Sequence, residues 1–191
     1  MAATDTTLVS EETYRRLALQ DPRVPWELHR GRLREKPEMT FAHSQLWFRL
    51  GIELDRQLDP KEFVVGVNGG RVRRSAANFY ILDVFVPPME LTGPLRNRSD
   101  VLEVYEEPLP LVVEVWSPST GDYDVNEKLV EYQNRGDREI WLLHPYDRML
   151  TTWQRQPDGS YARTVHHGGL VRPAHLPGVV IDLDALFERV A

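Results

Sequence analysis

The chain has 191 residues, 41% of them hydrophobic and 27% charged, which is ordinary for a soluble globular protein and enough for one domain over residues 1–191. A formal net charge of −6 argues against a passive nucleic-acid binder held only by phosphate neutralisation, and the absence of cysteine excludes thiolate chemistry, disulfides and Cys-based zinc sites. No apolar run approaches the roughly 18 residues that span a bilayer, and "MAATDTTLVSEE" lacks a signal-peptide pattern, so a soluble cytoplasmic protein is the expectation.

In chain order, "SEETYRRLALQ" predicts a short helix capped by Ser10, with acids in its first turn. "WELHRGRLREK" reads as two short strands about a turn near Arg30-Gly31. The longest helical pattern follows in "TFAHSQLWFRLGIELDRQLD", where Leu46, Leu50, Leu54 and Leu58 recur at i+4, Thr40 caps and Pro60 terminates. From Lys61 the period becomes two. "EFVVGV" and "RVRR" flank Asn68-Gly69-Gly70 as an expected hairpin, and "NFYILDVFV" is expected to be one strand closed by Pro87-Pro88. Residues 89–108 read as a loop with room for a short helix. "LPLVVEVW" has the composition of a deeply buried strand; "VNEKLVEYQNR" reads as a helix stopped by Gly136, and "REIWLLH" as a strand parallel to the one before the helix. "MLTTWQRQ" and "SYARTVHH" form a hairpin over Pro157-Asp158-Gly159, and "IDLDALFERVA" closes the chain as a helix. This order predicts a mixed α/β (α+β) domain, a central β-sheet flanked by helices.

Two of these strands carry an acid in an apolar setting: Asp83 in "YILDVFV" and Glu114 in "VVEVW". Alternation places Glu114 on one face with Val112 and Trp116. If the strands are neighbours the two carboxylates converge, and their mutual repulsion is relieved by a hard divalent cation held by carboxylates, a backbone carbonyl and waters. Taken singly, each acid has a plainer explanation as a salt-bridged structural residue. Lys128 borders the inward face set by Val125, Leu129 and Tyr132, one turn before Tyr132, from where it can reach back towards the preceding strand. Snorkelling from the helix flank is its alternative role. Only three of the 23 basic residues are lysines, Lys36, Lys61 and Lys128. Where arginine is otherwise preferred, each retained lysine marks a position where arginine does not substitute.

"LVVEVWSPST", Asp124, "EKLVEY", Gly136 and "REIWLLHP" together resemble the signature of the Uma2 family (DUF820) of restriction-endonuclease-like proteins, within the PD-(D/E)XK nuclease superfamily. The resemblance runs from "SEETYRRL" and "WELHRGRL" to the C-terminal hairpin. It implies a restriction-endonuclease-like mixed sheet and a Mg²⁺ site, with Mn²⁺ as substitute, made of Asp83, Glu114 and the backbone carbonyl of Val115. It casts Lys128 as the catalytic lysine displaced onto the following helix, the one lysine of the three in the motif. Glu27 in "WELHRGRL" matches a further metal or water ligand. His43 matches a histidine common at that helix start, for phosphate contact or orientation, against plain packing near a helix end. The sequence departs from the family pattern in four places. Leu82 stands for the proline before the motif acid, and Trp116 for the in-strand lysine. His29-Arg30-Gly31-Arg32 replaces an acidic turn, and His144 replaces the aspartate that ends its strand.

The resemblance implies a metal-dependent endonuclease acting on DNA, with RNA as the alternative substrate, and a homodimer as its expected assembly. A nuclease-fold interaction module without catalysis is the competing reading. Arg71, Arg73 and Arg74 in "RVRR", and Arg96 and Arg98 in "RNR", are candidate phosphate contacts, with edge-strand solubility as the alternative. Ser117 and Ser119 lack a G-x-S-x-G elbow and read as turn formers. His166, His167 and His175 read as solvated loop residues, and the five tryptophans as core and interface filling.

Overall fold

A computed structural model describes residues 8–21, 23–37, 39–119, 123 and 127–188. Helix α1 (Glu11–Gln20) starts where Ser10 Oγ accepts from the Thr13 N–H at 3.2 Å, with Glu11 and Glu12 at its positive end. It buries Tyr14 and Ala18 against Leu28, Phe79 and Leu102. Strands β1 (Trp26–His29) and β2 (Arg32–Glu35) pair antiparallel across Arg30 and Gly31, both at positive φ (51° and 76°), the geometry of a tight two-residue hairpin. Helix α2 (Phe41–Gln57) is capped by Thr40, and its Leu46, Leu50 and Leu54, continued by Leu58, form the predicted stripe. Leu46, Leu50 and Leu54, fully buried, each stabilise the fold by about 1.5–3 kcal/mol.

The expected hairpin over Asn68-Gly69-Gly70 does not form. Strand β3 (Gly66–Val67) pairs with β6 (Val84–Val86), whereas β4 (Arg71–Ser75) pairs with β5 (Asn78–Ile81), so the two flanking strands lie in different sheets. The glycines serve packing. A Cβ on Gly66 would stand 2.1 Å from Phe85 Cζ, and one on Gly70 2.4 Å from the same atom, so both glycines clear the Phe85 ring. "NFYILDVFV" also divides, into β5 and β6, with Leu82 and Asp83 between them. The Asn68 N–H donates to Asp83 O at 2.8 Å and the Leu82 N–H to Gly70 O at 3.2 Å, which fixes this crossing point.

After α3 (Met89–Thr92), a 3₁₀ turn and β7 (Val104–Tyr105) come β8 (Leu111–Val115), α4 (Leu129–Arg135) and β9 (Glu139–His144). The chain then forms β10 (Met149–Arg155), β11 (Tyr161–His166), β12 (Leu170–Val171), β13 (Ile181–Asp182) and α5 (Leu183–Glu188). Strands β8 and β9 are parallel, as predicted, and α4 ends at Gly136 in the left-handed conformation (φ 84°). Val125 and Asn126, expected to open that helix, lie outside the described residues, as does Asp124. One sheet runs β2-β1-β5-β4-β7 and a second β11-β10-β9-β8-β6-β3, with β12 and β13 forming a small separate ribbon. The result is the expected mixed α+β architecture with flanking helices, but its central sheet is split in two where β5 passes into β6.

The two faces of β8 decide what is positioned where. Leu111, Val113 and Val115 join the α2 leucines and Trp141 in one core, whereas Val112 joins Tyr80, Tyr132 and Ile140 in another. Glu114 shares the second face. Among the described residues no helix is long and apolar enough to cross a membrane.

Candidate metal and phosphate site

Pairing of β6 with β8 in the register Val84↔Val113 places Asp83 beside Glu114, one step beyond the last paired residues. The strands are therefore neighbours, as convergence of the two acids requires. Because β6 begins only at Val84, the Val115 N–H has no strand partner on that side and donates to Asp83 Oδ2 at 2.7 Å. The break in the strand thus turns the Asp83 carboxylate towards the end of β8.

Glu27 comes from β1, and its Oε1 accepts from the Ile81 N–H at 2.9 Å. Lys128 Nζ stands 3.1 Å from Glu27 Oε1 and 3.3 Å from Glu114 Oε1. The lysine reaches back from the helix, as the spacing predicted. Tyr132, one turn along, donates its hydroxyl to the same Glu114 oxygen. His43, in the first turn of α2, has Nε2 3.1 Å from Asp83 Oδ2. Its position is buried, and the contact it makes is with the acid.

The residue that sequence reasoning missed is Lys36, just past β2. Its Nζ lies 2.7 Å from Asp83 Oδ1 and donates to Ile81 O at 3.4 Å, the same carbonyl that Lys128 Nζ approaches at 3.4 Å. The scarcity of lysine in the chain was the signal that could have found it. Lys36, Glu27, His43, Asp83, Glu114 and Lys128 are each at most 9% exposed. Such burial of charge is tolerable only where charges pair. Burial alone would raise the Asp83 carboxyl, but the Lys36 ammonium, then His43 and Lys128, outweigh it and hold Asp83 ionised, well below the usual carboxylate range.

These six side chains line one cavity together with Arg34, Met39, Ser117 and Tyr123, and the Arg34 guanidinium lies 3.5 Å over the Tyr123 ring. Arg71, Arg73 and Arg74 do not join them. Arg71 Nε donates to Tyr14 Oη at 2.9 Å, Arg73 pairs with Glu11 at 2.7 Å and Glu106 at 3.2 Å, and Arg74 approaches Glu131 at 3.8 Å. Each therefore has a partner on the chain itself.

The structure gives each of the four sequence departures a place. Trp116 stacks on His144 with centroids 4.2 Å apart and planes 28° apart, so two departures fill each other's space. Arg30 pairs with Glu127 at 2.9 Å and His29 approaches the same carboxylate at 3.7 Å, so the basic turn braces the residue before Lys128. Leu82 is buried in the core that holds Tyr80 and Val112.

The donor set is made of hard oxygens and suits a hard divalent cation. Among the described residues no three His, Cys, Asp or Glu side chains already stand in a ligand arrangement, and the Asp83, Glu114 and Glu27 carboxylates each pair with a lysine ammonium. A cation would therefore enter by exchange with an ammonium group.

Two sheets are bridged by one broken strand, with an acid at the break, a second acid on the neighbouring strand and a lysine at the start of the helix that follows. The fold matches the crystal structure of "a putative nuclease belonging to DUF820" from Anabaena variabilis ATCC 29413. The TM-score is 0.77 at 15% identity, over 96% of this chain and 99% of that one. The Uma2 family model, described as "Putative restriction endonuclease", matches residues 11–184, and the chain belongs to that family. No curated protein matches the sequence.

Proposed function

We propose that the protein hydrolyses DNA phosphodiester bonds with the aid of Mg²⁺, for which Mn²⁺ would substitute. The observation that carries this reading is the placement of Asp83 and Glu114 side by side on paired strands, with Lys128 reaching in from α4. Asp83, Glu114 and the Val115 carbonyl would hold the cation, with Glu27 assisting. A cation bound there would supply Lewis-acid stabilisation of the phosphate and acidify the attacking water. Lys128 would stabilise charge developing on the phosphate oxygens, in a buried site where such an interaction is strong. His43 and the Val115 N–H hold the Asp83 carboxylate in one orientation, and Tyr132 does the same for Glu114.

The test is cleavage of a mixed panel of plasmid, duplex and single-stranded DNA with Mg²⁺. Asp83→Ala should abolish cleavage while its circular dichroism stays that of the folded protein. Cleavage that survives the substitution would sink the assignment. A wild-type protein that neither cleaves nor takes up a cation would favour the interaction module.

A further inference from the structure

Lys36 is left over by the proposed chemistry. Lys128 has two carboxylates as partners, Glu27 and Glu114, whereas the only carboxylate paired with Lys36 among the described residues is Asp83. Both ammonium groups stand at the same distance from Ile81 O, so two positive charges share one buried spot and are held there by three acids. A divalent cation added to this cluster would give positive charge the excess, and one ammonium must yield. Lys36 is the one with a place to go. Lys36, Pro37 and Met39 line both the acid cavity and a second, wider groove, whose wall also carries Ser44, Asn68 and Arg71. Lys36 Nζ already leans towards that groove, with Asn68 Oδ1 at 3.4 Å.

We infer that Lys36 is a displaceable counter-ion of Asp83. It holds the Asp83 Oδ1 position when no cation is bound, and once displaced it turns its ammonium to the wider groove, where it meets a substrate phosphate. This rests on the proposed metal site and adds a second lysine to it. The arrangement also explains why arginine does not stand at position 36. A flexible stem with a compact ammonium can swing between two partners, whereas a planar guanidinium would lock onto the carboxylate through two parallel bonds.

The experiment is titration calorimetry with Mn²⁺ and with Mg²⁺ on the wild type, Lys36→Gln, Lys36→Met and Lys36→Arg, alongside DNA cleavage. Lys36→Gln keeps a donor for Asp83 without the charge and guards against a folding defect in Lys36→Met. Both neutral variants should bind the cation about tenfold more tightly, since an opposite charge at hydrogen-bond distance shifts carboxylate equilibria by about one unit or more. Their cleavage should nevertheless fall, and Lys36→Arg should bind the cation no more tightly than the wild type. A purely structural lysine would lower affinity and activity together. Wild-type uptake that Lys36→Gln does not tighten overturns this inference and leaves the nuclease reading intact. No uptake by any of these proteins overturns both.

Discussion

Removing the Lys128 charge should strand two buried carboxylates, and the cost follows from the distances. At 3.1 Å from Glu27 and 3.3 Å from Glu114, each attraction amounts to about 5 kcal/mol at an effective dielectric constant of about 20. Desolvation of the charges offsets much of this. Breaking a buried pair by deleting one partner costs about 3–5 kcal/mol net. Lys128→Met should therefore lose about 3–5 kcal/mol in urea unfolding at neutral pH, and about 6–20 °C in Tm for a chain of this size. Adding Glu114→Gln removes one stranded charge while its amide oxygen can still accept from Tyr132. The double variant should recover about 1–3 kcal/mol relative to Lys128→Met, a coupling that a double-mutant cycle reads directly. A loss below about 1 kcal/mol in Lys128→Met, or strictly additive effects, would refute the view that Lys128 is the charge partner of these two acids.

Two further outcomes probe the surroundings. Trp116→Lys placed in the Lys128→Met background should not restore cleavage. Position 116 packs on His144 and Tyr146 and does not line the acid cavity; recovered activity would show that the in-strand lysine position remains usable. For His175, burial and the nearby Arg138 lower the imidazole pKa from its usual value. The folded protein then binds fewer protons than the unfolded chain, so this contribution is full above about pH 6.5 and is lost as pH falls through the folded value. Stability measured at about pH 7.5 and about pH 5.5 should fall less in His175→Gln than in the wild type, and equal falls would refute the effect.

The parts of the site that could be read from sequence are those whose logic is local. Glu114 stands out because alternation makes every neighbour in "LVVEVW" apolar, and Lys128 because helical spacing places it one turn from Tyr132. Lys36 was not legible by that means. Its partner Asp83 lies 47 residues away at a break between two sheets, and nothing in "REKPE" announces that break. The same cause explains the failed hairpin at Asn68-Gly69-Gly70. Glycines there look like a turn, but the need for Gly70 comes from the Phe85 ring, which belongs to a strand of the other sheet. Arg71 and Arg73 find their partners in the same non-local way: Tyr14 and Glu11 lie on α1, 57 and 62 residues earlier. Local charge reveals that a residue needs a partner, whereas tertiary packing decides which partner it finds.

The most direct test of the central claim is a crystal structure of the wild-type protein grown with Mn²⁺ and measured for anomalous scattering. The account predicts a peak between the Asp83 and Glu114 carboxylates, about 2.1 Å from an oxygen of each, with Lys36 Nζ withdrawn from Asp83. A peak found only elsewhere, or no peak with Lys36 still 2.7 Å from Asp83 Oδ1, would contradict it.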